Sequence, residues 1–300
     1  MKREMMNMDN RQNDRRSLLM IIASMLIFGT IGLFRRYIPV SSAFLAFFRG
    51  LLGGMILLAF TRLKGNRNGE KLPRKTIFLL ILSGAIIGIN WMLLFEAYNH
   101  TTVATATLCY YMQPTIVMLL SPLLFREKLT VRKSICAVIA VIGMVLVSGV
   151  TEGGNRPEGH LKGVFLGLGA AVCYASVIIL NKKVSGVDPW RKTTIQLISA
   201  GAVMIPYLML NGGFGTGEFS ANTVILLLVT GIVHTGLAYV LSFGSMDGLK
   251  AQSIAMLSDI DPVTALLLSA LILREPLSAA GLAGAVMIIG SAIAAEWRRE

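Results

Sequence analysis

Asp259 and Asp261 stand in the stretch "MLSDIDPVTALLL" (256–268), within a run from Ala251 to Leu273 that is otherwise apolar or small. Two carboxylates at this spacing can take up a proton or grip an ammonium group. Arg49 interrupts another apolar run, "FFRGLLGG" (47–54). Its planar guanidinium can hold a carboxylate in a two-pronged grip. His234, in "TGIVHTGLAYV", brings an imidazole with an unperturbed pKa of about 6.5, suited to exchanging a proton with an adjacent Asp. Asn90, Trp91, Tyr110, Tyr111, Gln113 and Tyr239 add amide and aromatic groups. A small-molecule cavity mixes such apolar walls with a few placed polar groups.

These residues have to be positioned by elements that cross a membrane. Of the 300 residues 54% are hydrophobic and 15% charged, against about 25% charged in soluble domains. A helix needs roughly 20 apolar residues to cross a bilayer. Ten stretches qualify, at 18–34, 41–61, 76–95, 103–125, 131–149, 161–180, 193–210, 221–243, 251–273 and 278–295. Unpaired backbone groups find no partner in lipid, so helices are expected. The fold class is therefore all-α integral membrane with ten transmembrane helices, called spans 1 to 10 below. At a rise of about 1.5 Å per residue, Asp259 lies about 12 Å and Asp261 about 15 Å into span 9. A charged Asp at mid-depth costs about 2.5–3.5 kcal/mol on insertion scales, so it needs a partner, water or a proton. Residues i and i+2 of a regular helix diverge by about 200°. Pro262 cannot donate a backbone hydrogen bond; a break there would let both carboxylates approach one cavity. The alternative is that one Asp pairs with Arg49 or caps the broken helix.

The net charge of +12 is distributed as an orientation signal. With the amino terminus in the cytoplasm, 22 of the 28 Lys and Arg residues fall on the inner side and five on the outer, Arg49 lying within a helix. That asymmetry follows the positive-inside rule and argues against nucleic acid as a partner. Both termini are expected to be cytoplasmic, with span 1 an uncleaved anchor. Cys109, Cys136 and Cys173 stand singly in separate apolar stretches, so no disulfide, metal site or cofactor is implied. Glycines such as Gly50, Gly53 and Gly54 let helices approach closely and form no nucleotide-binding motif.

The chain repeats itself. Shifted by 148, residues 103–129 and 251–277 agree at eight of 27 positions, among them Pro114/Pro262, Ser121/Ser269, Arg126/Arg274 and Glu127/Glu275. Tyr111 and Gln113 then lie over Asp259 and Asp261, and Arg49 lies over Gln196 at almost the same shift. Each unit holds five helices, so the second enters the membrane inverted, a hallmark of secondary transporters whose site lies where the halves meet. The organisation read here is a polar tail (1–17), a first repeat (18–149), an extracytoplasmic linker (150–160), a second repeat (161–295) and a short tail (296–300). Pro114 and Pro262 are the expected helix breaks. Glu127 and Glu275 close their helices beside Arg126 and Arg274 and are expected to form structural ion pairs at the membrane interface, or gates at most; Glu96 and His100 are expected as mouth or loop residues at the outer end of span 3.

With its two five-helix units, "FFRGLLGG", the mid-helix prolines, and the closing motifs "REKLT" (126–130) and "REPLS" (274–278), the chain resembles the EamA family of the drug/metabolite transporter superfamily. The resemblance covers residues 18–295. It implies a ten-helix transporter of the inner or plasma membrane with a central cavity, often exporting amino acids or other small metabolites. The acidic pair of span 9 lies outside what the resemblance implies.

The reading that follows is a secondary active transporter moving a small polar metabolite by alternating access, an amino acid or related amine being favoured and export the expected direction. Its partners are the small-molecule substrate, membrane lipids and, through an Asp of span 9, protons; the sequence leaves a homo-oligomer open. The alternative is a sugar-phosphate or nucleotide-sugar exchanger, for which one internal cation, Arg49, is a poor complement. A membrane enzyme would need a convergent nucleophile, base and orienting group, and a channel would not need inverted halves.

Overall fold

The computed structural model describes residues 2–63, 71–125, 130–149, 158–184, 186–214, 219–245, 257–275 and 278–296. Among them there are helices and turns and no strand. Eight helical stretches are long and apolar enough to cross a membrane: Arg15–Arg36, Ser42–Leu63, Arg74–His100, Val103–Leu120, Val131–Ser148, His160–Lys182, Pro189–Leu210 and Ala221–Ser245. These are spans 1 to 8. The shorter apolar helices Ile260–Leu271 and Ala279–Ala295 are spans 9 and 10. The first residues assigned to span 9 from the sequence, 251–256, lie outside the described residues. Long aliphatic and aromatic side chains such as Leu123, Phe165 and Val286 point outward, as they should where the solvent is lipid.

Packing between the spans follows the repeat. Spans 2 and 7, 4 and 9, and 5 and 10 each pack on their own repeat-mate. Span 3 packs on span 6 and span 8 on span 1; span 3 on span 7 and span 8 on span 2; span 4 on span 6 and span 9 on span 1. Every one of these contacts has its symmetry partner, so the two halves interlock around a common axis and the site is built from both.

Small residues set how close these helices come. A Cβ built on Gly50 of span 2 would stand 2.7 Å from the backbone nitrogen of Gly201 in span 7. Packing of this kind holds helices together in lipid, where the hydrophobic effect between them is absent.

Several spans are interrupted. Span 1 breaks at Thr30, between helices Lys2–Gly29 and Ile31–Arg36. Span 4 breaks at Tyr111–Met112 and span 9 at Asp259, positions that the repeat relates. Span 8 holds a π turn, Ile232–Leu237, between helices Ala221–Gly231 and Ala238–Ser245.

Candidate functional site

The breaks in spans 4 and 9 come from their prolines. Pro114 and Pro262 have no N–H to give to the carbonyl four residues back. Each stands in the first turn of a new helix, Gln113–Phe125 or Ile260–Leu271, where the missing donor is tolerated. In span 9 the helix is interrupted at Asp259, and Asp259 and Asp261 both line one central cavity of about 680 Å³. Small-molecule pockets usually measure about 300–1,000 Å³.

Asp261 is met across the pseudo-twofold by span 4. The Tyr111 hydroxyl donates to its Oδ2 at 2.8 Å. Tyr110 stands edge-on to both Tyr111 and Tyr174, with ring centroids 5.7 and 5.8 Å apart. Tyr239 stacks on Phe243 at 5.9 Å, and both line the cavity. The carboxylate thus lies in a wall of aromatic rings, whose faces attract an ammonium group.

Arg49 reaches the same cavity from span 2. Its Nε–H donates to Thr235 Oγ1 at 3.1 Å, and its Cζ lies 4.1 Å from the ring centroid of Trp91. Among the described residues no carboxylate is within ion-pair distance of it and neither Nη group has a hydrogen-bond partner. The side chain is only 4% exposed. The four Nη–H donors are open to the cavity, where a ligand oxygen could accept from them. The pairing of Arg49 with a span 9 Asp, one of the sequence alternatives, does not occur among the described residues.

At one end of the bundle Glu275 gathers contacts from three spans. Arg36 donates to Glu275 Oε1 and also to the carbonyl of Thr101. Glu275 Oε2 accepts from the backbone N–H of Val103 at 2.7 Å and from the Ser269 hydroxyl. Val103 opens the helix of span 4, so the carboxylate also meets the positive end of a helix dipole. Arg274 is not its partner: that residue adopts a positive φ of 53°, and the resulting turn carries Glu275 back over the bundle. The expected pair is thereby corrected to Arg36–Glu275. Beside it Arg35 donates to Ser42, and Ser42 to Glu96, at 3.2 and 2.8 Å. Glu96 also pairs with His100. None of these residues lines the cavity, which instead runs to Val187, Pro189 and Ser242 at the opposite end. Glu127 lies outside the described residues.

The sequence matches the EamA-like transporter family over residues 15–149 and 161–295, the two halves whose interlocking builds the cavity. The chain belongs to this family. Uncharacterized transporter YxxF of Bacillus subtilis (strain 168) is 29% identical over 252 residues, 84% of this chain and 80% of the relative. Protein PecM of Dickeya dadantii (strain 3937) is 28% identical over 269 residues, 86% and 84% of the two chains. A solved crystal structure is similar in fold, with a TM-score of 0.64 and 20% identity over 93% of this chain and 96% of its own. The EamA chain is accordingly a multi-pass membrane transporter and not an enzyme.

In this EamA transporter, Trp91, Tyr110, Tyr111, Gln113, Pro114 and Tyr239 line the cavity together with Arg49 and the two Asp residues. Asn90 and His234 do not. Asn90 is fully buried and donates to the carbonyl of Ala170 at 2.6 Å, tying span 3 to span 6. His234 bonds Thr30 Oγ1 at 2.7 Å and stands edge-on to Phe34 at 4.6 Å, behind the cavity wall. Pro262 is buried at the break without lining the cavity.

Tyr98, Tyr174, Asn181, Lys192 and Gln196 line it without having been singled out as site residues. Gln196 had a signal, its place over Arg49 in the repeat. Lys192 was hidden among the basic residues that orient the chain.

Proposed function

We propose that the chain moves a small zwitterionic metabolite, an amino acid or a related amine, by alternating access, with export as the direction. The observation that carries this reading is one cavity with two unlike poles. At one, Asp261 sits among tyrosine rings; at the other, the Nη groups of Arg49 have no protein acceptor among the described residues. The substrate's ammonium group goes to the acidic pole and its carboxylate to Arg49. A proton and the ammonium group compete for the same carboxylate, which couples transport to protons.

Alternating access is supported by the unequal ends. The Arg36–Glu275 contact ties spans 1, 4 and 9 together at one end, while the cavity extends toward the other. With the positive-inside orientation the cavity faces the cytoplasm, the side from which an exporter loads.

A second reading, a sugar-phosphate exchanger, gains one observation: Lys192 joins Arg49 in the lining. Asp259 and Asp261 in the same cavity oppose a doubly charged phosphate, which keeps the zwitterion ahead.

The test is counterflow in proteoliposomes, at pH 6 and pH 8 (about one unit either side of neutrality), of amino acids, their decarboxylated amines and sugar phosphates. Saturable exchange of amino acids that changes with pH is the expected result. Exchange of sugar phosphates alone overturns it.

A further inference from the structure

We propose that the π turn of span 8 decides which edge of Arg49 meets the substrate, with Thr235 as the positioning residue and a carboxylate as the group received. The inference rests on the reading of Arg49 given above and specifies how that residue works.

A threonine hydroxyl has one proton to give. Thr235 gives it to the carbonyl of Thr230 at 3.0 Å, so toward Arg49 it can only accept, which it does from Nε–H at 3.1 Å. The reach matters. In an α-helix a threonine hydroxyl bonds the carbonyl three or four residues back, whereas Thr230 is five back. The π turn Ile232–Leu237 supplies the extra residue. π turns of this kind are frequent at functional sites.

The consequence for Arg49 is geometric. A guanidinium can take a carboxylate side-on, through Nε and one Nη, or end-on, through both Nη groups. Thr235 occupies Nε, and the Trp91 ring covers one face. The end-on edge is what remains for the cavity, so the carboxylate binds across Nη1 and Nη2.

Three features keep the turn in place. Gly53, one helical turn along span 2 from Arg49, makes room for it: a Cβ there would stand 2.7 Å from Thr235 Cβ. Thr30 Oγ1 lies 2.7 Å from the Ile27 carbonyl and 2.7 Å from His234 Nε2, so one hydroxyl bridges the end of the first helix and the π turn. This pins the turn to the break in span 1. Gly29, at the same break, would bring a Cβ within 2.7 Å of the Asp261 carbonyl oxygen, so the acidic pole abuts the same anchor.

The other half of the molecule serves as an internal control. Gln196, which lies over Arg49 in the repeat, is tied to the Ser83 hydroxyl of span 3 at 2.7 Å. The interface of spans 7 and 3 is the symmetry partner of the interface of spans 2 and 8. A hydroxyl tether across it therefore works with a neutral amide, and the tether alone does not explain why position 49 carries a charge. A ligand carboxylate does.

The test compares wild type, Thr235→Val, Thr235→Ser and Arg49→Gln in proteoliposomes. The probes are apolar and aromatic amino acids and their decarboxylated amines, phenylalanine with phenethylamine among them, read as KM and maximal rate separately. Thr235→Val should raise KM for the amino acids about tenfold and leave KM for the amines largely unchanged, so that discrimination between them narrows, because only the carboxylate loses its aligned partner. Thr235→Ser, which keeps the hydroxyl, should restore the amino acid KM. If Arg49→Gln erases the discrimination and Thr235→Val does not narrow it, the positioning role is wrong and the reading of Arg49 stands. Should Arg49→Gln leave discrimination unchanged, or wild type take up no amino acid, the underlying reading fails and this inference with it.

Discussion

Tyr111 donates its hydroxyl proton to Asp261 at 2.8 Å, joining two turns that the internal repeat makes equivalent. Tyr111 stands in span 4 where Asp259 stands in span 9. The same proline-broken helix thus presents a phenol from one half and a carboxylate from the other, and the two meet in the cavity that both halves line.

On the proposed reading, this contact makes Asp261 the first acid to test for coupling. Asp261→Asn keeps the shape and can still accept from Tyr111, yet it cannot ionise. Transport should fall by at least about tenfold, and the remaining rate should lose its dependence on pH. Tyr111→Phe should raise KM for amines while keeping that dependence. Uptake measured across about pH 5–8 checks both; an Asp261→Asn variant whose pH profile matched wild type would remove Asp261 from the coupling.

Glu275 offers a stability prediction at its end of the bundle. It is the acceptor for Arg36, for the Val103 N–H and for Ser269. Glu275→Gln is nearly the same size, but it removes the charge opposite Arg36 and turns one acceptor into a donor. The loss should be about 1–3 kcal/mol, seen as earlier thermal unfolding in detergent. Thr107 lines the cavity, and Thr107→Cys in the Glu275→Gln background should react faster with an impermeant thiol reagent applied from the Arg36 side. Unchanged unfolding together with unchanged labelling would show that this contact does not seal anything.

Close helix packing predicts opposite outcomes for two glycines of one helix. Gly284 in span 10 meets Gly143 of span 5 backbone to backbone, whereas a Cβ on Gly290 would meet nothing within 4 Å. Gly284→Ala should destabilise by about 1–3 kcal/mol through overpacking. Gly290→Ala should be neutral or stabilise by up to about 1 kcal/mol, the gain in helix propensity. Thermal unfolding of the two variants side by side decides it. Equal effects would mean that spans 5 and 10 do not touch as described.

The span count, the repeat and the break before Pro262 were legible because each rests on a property of the residue itself. A proline lacks its N–H wherever it stands, and a carboxylate in an apolar run is conspicuous. What escaped were relationships between distant residues. Glu275 was read beside Arg274, its chain neighbour, because nothing in the sequence reveals that Arg274 turns through a positive φ and that Arg36, 239 positions away, is the partner. His234 was read toward an Asp because hydropathy carries no trace of the π turn, whose extra residue rotates His234 onto Thr30. Tyr98 and Tyr174 look like any aromatic residue in an apolar run; only the cavity separates them from packing residues.

Pro262 links the break to the chemistry, and its removal gives a prediction in which stability and activity part. In Pro262→Ala the new N–H can bond back along the chain, and span 9 can run as one helix through Asp259. Asp259 and Asp261 would then diverge by about 200°, and one of them would leave the cavity that both now line. A proline inside a helix costs about 3 kcal/mol; here it stands in the first turn after the break, so the gain in thermal stability should be smaller. Transport should nevertheless fall severalfold, with the loss in maximal rate exceeding any change in KM. Pro114→Ala should do the same from the other side, since a straightened span 4 would carry Tyr111 away from Asp261. A Pro262→Ala variant that unfolds later and still transports at the wild-type rate would mean that the break serves packing alone, and that one Asp in the cavity suffices.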